Sequence, residues 1–464
     1  MVDSTPSQLE PTVIVIFGIT GDLAQRYLLP ALYHLFKENL LHPKTEIIGL
    51  TRQDLTAEKL LDRVELCLNE ADKTCDPAVL KMMHAKTRLL KFDPSVSDDY
   101  AMLGQQLNDL EEEQGTCLNR LFYLSIPPNI FSKVVTYMGQ HKLPTTCQHN
   151  RAQVRLLVEK PFGSDLASAQ ILVETTKEVF QEEQVFRIDH YLAKEMAQNI
   201  LVFRRYNPIF AAIWSNQHIE AIDIYSSEKI GIEGRVNFYE GLGAVRDLIQ
   251  SHLLQLMAIT TMDMPEELDS QNIHAQKHAL LSAIKPANPD LAVRAQYASY
   301  KDEVKNPDST TETYAQLQLF IDNERWRDVP ITITTGKAMS AKRTDISITF
   351  ADRAAANDAV NVLTLRIQPN EGIQLQLRAK KPSYSEDLEA AIMDFSYQNT
   401  FGDTAHPTAY ERVLVDAVKG DRTLFASSDE VLESWRILQP VLNAWSASNS
   451  GLQTYPNGTN GPQA

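Results

Sequence analysis

Thr12-Val-Ile-Val-Ile-Phe-Gly-Ile-Thr-Gly-Asp-Leu-Ala24 is the stretch on which the fold turns. Thr12–Phe17 is a run apolar on both faces, the pattern of a strand buried within a parallel sheet. Small residues follow, and Leu28–Leu41 then repeats apolar positions at helical spacing. Strand, glycine-containing turn and helix open a βαβ unit. At such a turn the backbone can approach a pyrophosphate at a helix N-terminus. Gly18, Ile19, Thr20, Gly21, Asp22 and Leu23 are therefore candidate cofactor-binding residues, although their glycine spacing departs from GxGxxG.

Working outward, Glu46–Leu50, Arg120–Ser125, Val154–Val158 and Val185–Ile188 read as further strands, with helical patterns at Ala57–Ala71 and Tyr100–Glu113. This alternation predicts a doubly wound parallel sheet, a Rossmann-like α/β nucleotide-binding domain over residues 12–189, after a polar arm at 1–11. Beyond about residue 218 the pattern changes. Gln316–Ile321, Ile331–Thr335, Asp345–Phe350, Val362–Gln368 and Gly372–Arg378 mostly alternate apolar with polar residues, which suits an antiparallel sheet covered on one face. Gly241–Thr261 and Ser427–Trp445 are helix candidates. Residues 190–445 thus form an α+β domain with a large, mainly antiparallel sheet, and the Gly/Asn/Ser/Pro-rich 446–464 is expected to be a disordered tail.

The chain has 464 residues, with 44 Lys and Arg against 60 Asp and Glu, a net charge of −16. Such an acidic balance speaks against broad binding to nucleic acid or an anionic membrane. No apolar run reaches the roughly 20 residues that span a bilayer, and Met1–Pro11 lacks the features of a signal peptide. Cys67, Cys75, Cys117 and Cys147 are widely spaced without a CxxC pair, so reduced thiols in a cytoplasmic protein are expected, and neither a metal site nor a disulfide framework.

Three further clusters carry chemistry. In Gly49-Leu-Thr-Arg52, Arg52 stands at the end of the second strand, where it suits the 2′-phosphate of NADP. Arg187-Ile-Asp-His-Tyr-Leu-Ala-Lys194 gathers a carboxylate, an imidazole, a phenol and an ammonium behind a strand, a donor set that suits phosphate. Arg246-Asp-Leu-Ile-Gln-Ser-His252 places a histidine, a base near neutral pH, in a long helix. On an α-helix Asp247 and His252 project about 140° apart and do not share a narrow face.

Taken together, Gly18-Ile-Thr-Gly-Asp-Leu-Ala24, Val158-Glu-Lys-Pro-Phe-Gly163, Arg187-Ile-Asp-His-Tyr-Leu192, Lys194-Glu-Met196, Asn207-Pro-Ile-Phe210, Gly336-Lys337 and Gln368-Pro-Asn-Glu371 resemble the glucose-6-phosphate dehydrogenase family over residues 12 to 445. The resemblance implies oxidation of glucose 6-phosphate at C1 with NADP (NAD being the other candidate), without a metal, by a homodimer or dimer of dimers. It implies that His252 is the general base and Asp189 the carboxylate that stabilises its imidazolium. His190, Tyr191, Lys194, Lys337, Lys342 and Gln368 then match substrate-side positions, Glu228 and Asp247 match sugar-hydroxyl positions, and Lys160 and Pro161 match the segment where cofactor and substrate meet. The chain departs from the family's pattern at Tyr27, which replaces a lysine, at Ala193, which replaces a glycine, at Ser251, which replaces an asparagine, and at Lys342, often an arginine. Those departures keep two alternatives in view: a dehydrogenase for a related sugar phosphate, and a noncatalytic module that binds NADP or a sugar phosphate.

Overall fold

The computed structural model describes residues 9–62, 75–145, 152–351, 361–385, 387–402, 407–448 and 450–462. The chain forms two compact units. The first comprises Met1–Gly163, Ala167–Ala193 and Pro407–Ser428, and the second comprises Ser164–Leu166, Lys194–His406 and Asp429–Ala464.

In the first unit β1 (Thr12–Phe17), β2 (Glu46–Thr51), β3 (Thr87–Lys91), β4 (Asn119–Leu124), β5 (Val154–Val158) and β6 (Val185–Ile188) lie in the order β6-β5-β4-β1-β2-β3. All these pairings are parallel. This is the doubly wound dinucleotide-binding order, whose crevice opens where the sequence order reverses, between β1 and β4. Every residue of β1, β2, β4 and β6 is buried, including the polar Glu46, Asn119, Arg120 and Arg187 at or near strand ends. A π-helical turn, Ala24–Leu28, leads from the glycine turn straight into the helix Leu29–Lys37, with Pro30 at its start.

The strand Phe425–Ala426 pairs antiparallel with β6 at the outer edge of this sheet. Glu182 holds that returning segment. Its Oε1 accepts from Arg187 (2.9 Å), Arg422 (3.1 Å) and the Ser428 backbone N–H (2.9 Å), and its Oε2 accepts from the Ser428 hydroxyl (2.5 Å). Burial pushes the Glu182 carboxyl up, but Arg187 and the Ser428 hydrogen bonds outweigh it and hold the group below its ordinary range. Arg155 donates to the Val418 carbonyl as well, at 2.5 Å. The compact unit that carries the parallel sheet runs to Ala193, a few residues past the 189/190 boundary expected from sequence, and it also takes in residues 407–428.

The second unit is built on β7 (Ile219–Ser227), β8 (Ala292–Tyr297), β9 (Tyr314–Leu319), β10 (Ile331–Gly336), β11 (Arg343–Phe350), β12 (Val362–Gln368), β13 (Gly372–Lys380) and β14 (Leu388–Ser396). Their order is β14-β13-β12-β11-β7-β10-β9-β8, with Leu452–Tyr455 added beyond β8. Pairing is antiparallel except for β10 with β7 and Leu452–Tyr455 with β8. The alternation read from the sequence is literal in β12, where Leu363, Leu365 and Ile367 point inward between half-exposed neighbours. The helix Glu195–Tyr206 packs on β12 and on the helix Leu254–Thr261.

Two expectations change, and a third is tested only in part. The tail is not disordered over 452–455: those residues form a strand and Tyr455 is fully buried, because a polar sequence can still pair by backbone once one aromatic finds a core. Of the helix expected at Ala57–Ala71, only the portion up to residue 62 lies within the described residues. Cys117 is disulfide-bonded, contrary to the expectation of reduced thiols, while Cys67 and Cys147 lie outside the described residues. Among the described residues no helix is long and apolar enough to cross a membrane.

Candidate active site

Gly18 adopts φ +79°, and a Cβ there would stand 2.5 Å from the carbonyl oxygen of Ser125, just past the end of β4. Only glycine meets both conditions. The turn is tied to β2 by N–H bonds from Gly18 and Ile19 to the Leu50 carbonyl, at 3.2 and 3.3 Å. Above it opens a cleft of about 440 Å³, lined by Gly18, Thr20, Gly21, Thr51 and Arg52, and also by Asp93, Ser95, Ser125, Pro127 and Lys133. Its position at the carboxyl ends of β1 and β4 is where a doubly wound sheet binds nucleotides.

The other residues of the turn are differently placed. Ile19 is buried, and its side chain occupies the space a Cβ on Gly49 would need. Asp22 is exposed and pairs with Arg26 at 2.7 Å. Neither they nor Leu23 line the cleft. Sequence reading missed Lys133 and Asp93. Hydrogen bonds from Ser95 hold the Asp93 carboxyl below its ordinary range, and Arg52 and Lys133 add to that effect, so both cations act at this rim. The signal was available for Ser125 and Pro127, since residues following a parallel strand line the ligand crevice, but Lys133 lies on the next helix, Phe131–Gln140, with no motif around it.

In the same unit, the Lys160–Pro161 peptide is cis. Asp189 is buried and its Oδ1 accepts the Tyr191 backbone N–H at 2.9 Å. The His190 and Tyr191 rings lie 5.4 Å apart. Tyr27 is 51% exposed and stacks on Tyr410, of the returning segment, with centroids 5.1 Å apart and planes 16° apart. Ala193 is not among the residues with positive φ, so the loss of the family's glycine there is harmless.

The second unit brings together Glu228, Asp247 and Lys337. The Lys337 ammonium bonds to the Glu228 carboxylate, lies 3.3 Å from Asp247 Oδ2 and sits 5.0 Å from the centre of the Tyr239 ring. Burial, with the Asp247 charge nearby, pushes the Tyr239 phenol far up, so its ring stays neutral beneath the cation. Lys337 is buried, and two carboxylates offset its charge.

His252 is fully buried in the π-helical segment Val245–Leu253, which continues as the α-helix Leu254–Thr261. This corrects the angular argument from sequence. In a π-helix the backbone bonds i to i+5, so Asp247 and His252 stand about one turn apart instead of on well-separated sides. A hydrophobic pattern does not distinguish the two helix types. Lys194 starts the helix Glu195–Tyr206, and its ammonium donates to the Gln368 side-chain oxygen. Gln368 in turn donates to Thr344 at 3.0 Å. Lys342 is exposed and lines a cleft with Gln368.

Two family models together cover nearly the whole chain. Residues 15–199 match the model described as glucose-6-phosphate dehydrogenase, NAD binding domain, and residues 201–464 match glucose-6-phosphate dehydrogenase, C-terminal domain. The glucose-6-phosphate 1-dehydrogenase of Chlamydia pneumoniae is 38% identical, over 99% of this chain and 94% of its own length. That of Chlamydia muridarum is 37% identical, over 98% of this chain and 94% of its own. A solved structure of glucose-6-phosphate dehydrogenase in complex with its substrate glucose-6-phosphate superposes with a TM-score of 0.91 at 33% identity, covering 98% of this chain and 96% of the other. The Mycobacterium avium enzyme gives 0.84 at 33% identity, covering 97% and 96%.

Proposed function

We propose, from the premise that this chain belongs to the glucose-6-phosphate dehydrogenase family, that it oxidises C1 of D-glucose 6-phosphate to 6-phospho-D-glucono-1,5-lactone, with NADP supplying the hydride acceptor. The observation that carries this reading is the grouping, in one unit, of a buried histidine one π-turn from Asp247 with a lysine held between Asp247 and Glu228.

In this reading His252 takes the proton of the C1 hydroxyl as general base, and Asp189 stabilises the imidazolium that results. Glu228 and Asp247 accept hydrogen bonds from sugar hydroxyls. When they do, they loosen their hold on Lys337 and leave it more available to the substrate. His190, Tyr191 and Lys194 donate to the phosphate, Gln368 positions Lys194, and Lys342 adds positive charge. Lys160 and Pro161 fix the backbone where sugar and cofactor meet.

Two features of the first unit's cleft support NADP: the Gly18 turn leaves no room for a side chain beside Ser125, and Arg52 and Lys133 line it where they would meet a 2′-phosphate. The protein acts as a homodimer through its edge strand β14, exposed along most of its length, where Ile392 and Met393 are 58% and 63% exposed.

The test is to follow NADPH absorbance with purified protein, supplying NADP or NAD with glucose 6-phosphate and with other sugar phosphates. NADP reduction dependent on glucose 6-phosphate is the expected result. Reduction only with a different sugar phosphate, or ligand binding without reduction, overturns the reading.

A further inference from the structure

The turn that carries Lys337 is held on both sides. On one side its backbone N–H groups bond inward: Lys337 to the Thr313 carbonyl at 2.9 Å, Ala338 to Ile230 at 2.8 Å and Met339 to Glu228 at 2.9 Å. On the other side lies the end of the chain. Tyr455 donates its hydroxyl to the Lys337 carbonyl at 2.5 Å, Gly458 N–H bonds to the Ala338 carbonyl at 2.7 Å, and Ser340 N–H bonds to the Thr459 carbonyl at 2.9 Å. Met339 and Thr459 form an isolated parallel bridge, and Ser340 bonds to Asn460 through side chains.

The turn needs such support. Ala338 has φ +50°, a conformation that a residue with a Cβ keeps only when its surroundings impose it. Tyr455 is fully buried in a cluster with Tyr239, Tyr297, Tyr300, Ala338 and Met339. Tyr239 is also the ring beneath the Lys337 ammonium. One aromatic cluster therefore holds the backbone of Lys337 through Tyr455 and faces its charged end through Tyr239.

We infer that the C-terminal segment 452–461 is a brace for substrate recognition, with Tyr455 as a positioning residue that sets Lys337 against the sugar phosphate. This rests on the assignment of Lys337 to the substrate under Proposed function. The segment does not touch the substrate. It fixes the carbonyl from which the Lys337 side chain departs, and so the place where its cation meets an incoming anion.

The experiment is a steady-state cycle of Tyr455→Phe, Lys337→Ala and the double variant, beside a chain ending at Tyr455. Phenylalanine keeps the buried ring and loses the hydroxyl's bonds to the Lys337 carbonyl and to Thr313, so the cluster stays packed. The expected result for Tyr455→Phe is a rise of about three- to tenfold in KM for glucose 6-phosphate, the scale of one hydrogen bond, with kcat and KM for NADP within about twofold. The chain ending at Tyr455, which lacks the Gly458 and Thr459 bonds, shows the same pattern. In the Lys337→Ala background Tyr455→Phe has no further effect. If Lys337→Ala raises KM for the sugar phosphate and Tyr455→Phe does not, the brace is overturned while the site assignment stands. An unchanged KM in Lys337→Ala removes the site assignment and the brace with it. Equal effects of Tyr455→Phe with and without Lys337 reduce Tyr455 to a general structural role and overturn the inference.

Discussion

A methyl group on Gly18 would lie 2.5 Å from the carbonyl oxygen of Ser125, inside any real contact distance. β1 and β4 thus approach each other at the switch point through a residue without a side chain. Gly18→Ala has to rotate the backbone from φ +79° or push Ser125 away, and either change deforms the floor of the cleft. The expected outcome is a KM for NADP raised by about tenfold or more, with KM for glucose 6-phosphate changed far less. Initial-rate kinetics with each substrate varied in turn would show it, and equal shifts in both constants would argue against this turn as the cofactor floor.

Arg52 and Lys133 share the rim of that cleft and both act on Asp93. A charge-assisted contact to a 2′-phosphate is a benefit that NAD cannot receive. Arg52→Ala and Lys133→Ala should each raise KM for NADP by about ten- to hundredfold, the scale of a hydrogen bond to a charged group, and leave KM for NAD nearly unchanged. The readout is the ratio of kcat/KM for the two cofactors. A ratio that does not move in a variant clears that residue of the role.

His252 is fully buried in the π-helical segment that also carries Asp247. Its replacement by alanine should lower kcat by about 10²- to 10⁴-fold, the usual worth of a general base, while equilibrium binding of glucose 6-phosphate changes little. Turnover that survives His252→Ala would rule the residue out as the base.

Glu430 is buried with Lys277 at 2.8 Å and His274 at 2.6 Å. Burial pushes its carboxyl up, but Lys277 and His274 outweigh that and bring it from its ordinary 4.5 to about 2. A carboxyl depressed in the folded state stabilises fully above its unfolded value. That stabilisation is lost as pH falls from about 4.5 towards 2. Glu430→Gln removes the carboxylate that offsets the buried Lys277 and should cost about 3–5 kcal/mol near neutral pH. Thermal melts between pH 7 and pH 3 should show the variant starting lower and converging on the parent as acid removes the difference. A constant gap across that range would contradict this account.

β14 exposes Ile392 and Met393 at the free edge of the nine-stranded sheet. If two copies meet there, Ile392→Asp places a carboxylate in the interface and should convert dimer to monomer without unfolding the chain. Sedimentation at several concentrations measures this. A variant that sediments as the parent does would place the interface elsewhere.

Most of the nucleotide-binding sheet was legible because strands such as Thr12–Phe17 are buried on both faces and carry apolar residues at nearly every position, whereas β3 (Thr87–Lys91), partly exposed at the sheet edge, gave no such run and was not read. Most of the antiparallel sheet was legible for the opposite reason: one face is covered and the sequence alternates, as in β12. Three features had no such signature. Phe425–Ala426 is two residues long and is held in place by Glu182, more than two hundred residues away in sequence. Leu452–Tyr455 lies in a polar tail and docks through one buried phenol. The π-helical turns at Ala24–Leu28 and Val245–Leu253 differ from an α-helix in backbone bonding, which a hydrophobic pattern does not report. Of the candidate site, the motifs pointed to the lysines and carboxylates, but only geometry showed that Glu228 and Asp247 share one lysine.

The return of residues 407–428 to the first unit also constrains how the protein is made. A nascent chain that has emerged through β6 still lacks the edge strand that covers it and the Arg422 and Ser428 donors that join Arg187 on Glu182. The nucleotide-binding sheet stays open at that edge until residues 407–428 have left the ribosome. During synthesis the order of completion is therefore reversed: most of the second unit is available to fold before the first is closed, and a fragment cut at the end of β6 would keep the nucleotide turn but expose an unpaired β edge, an invitation to association with other chains.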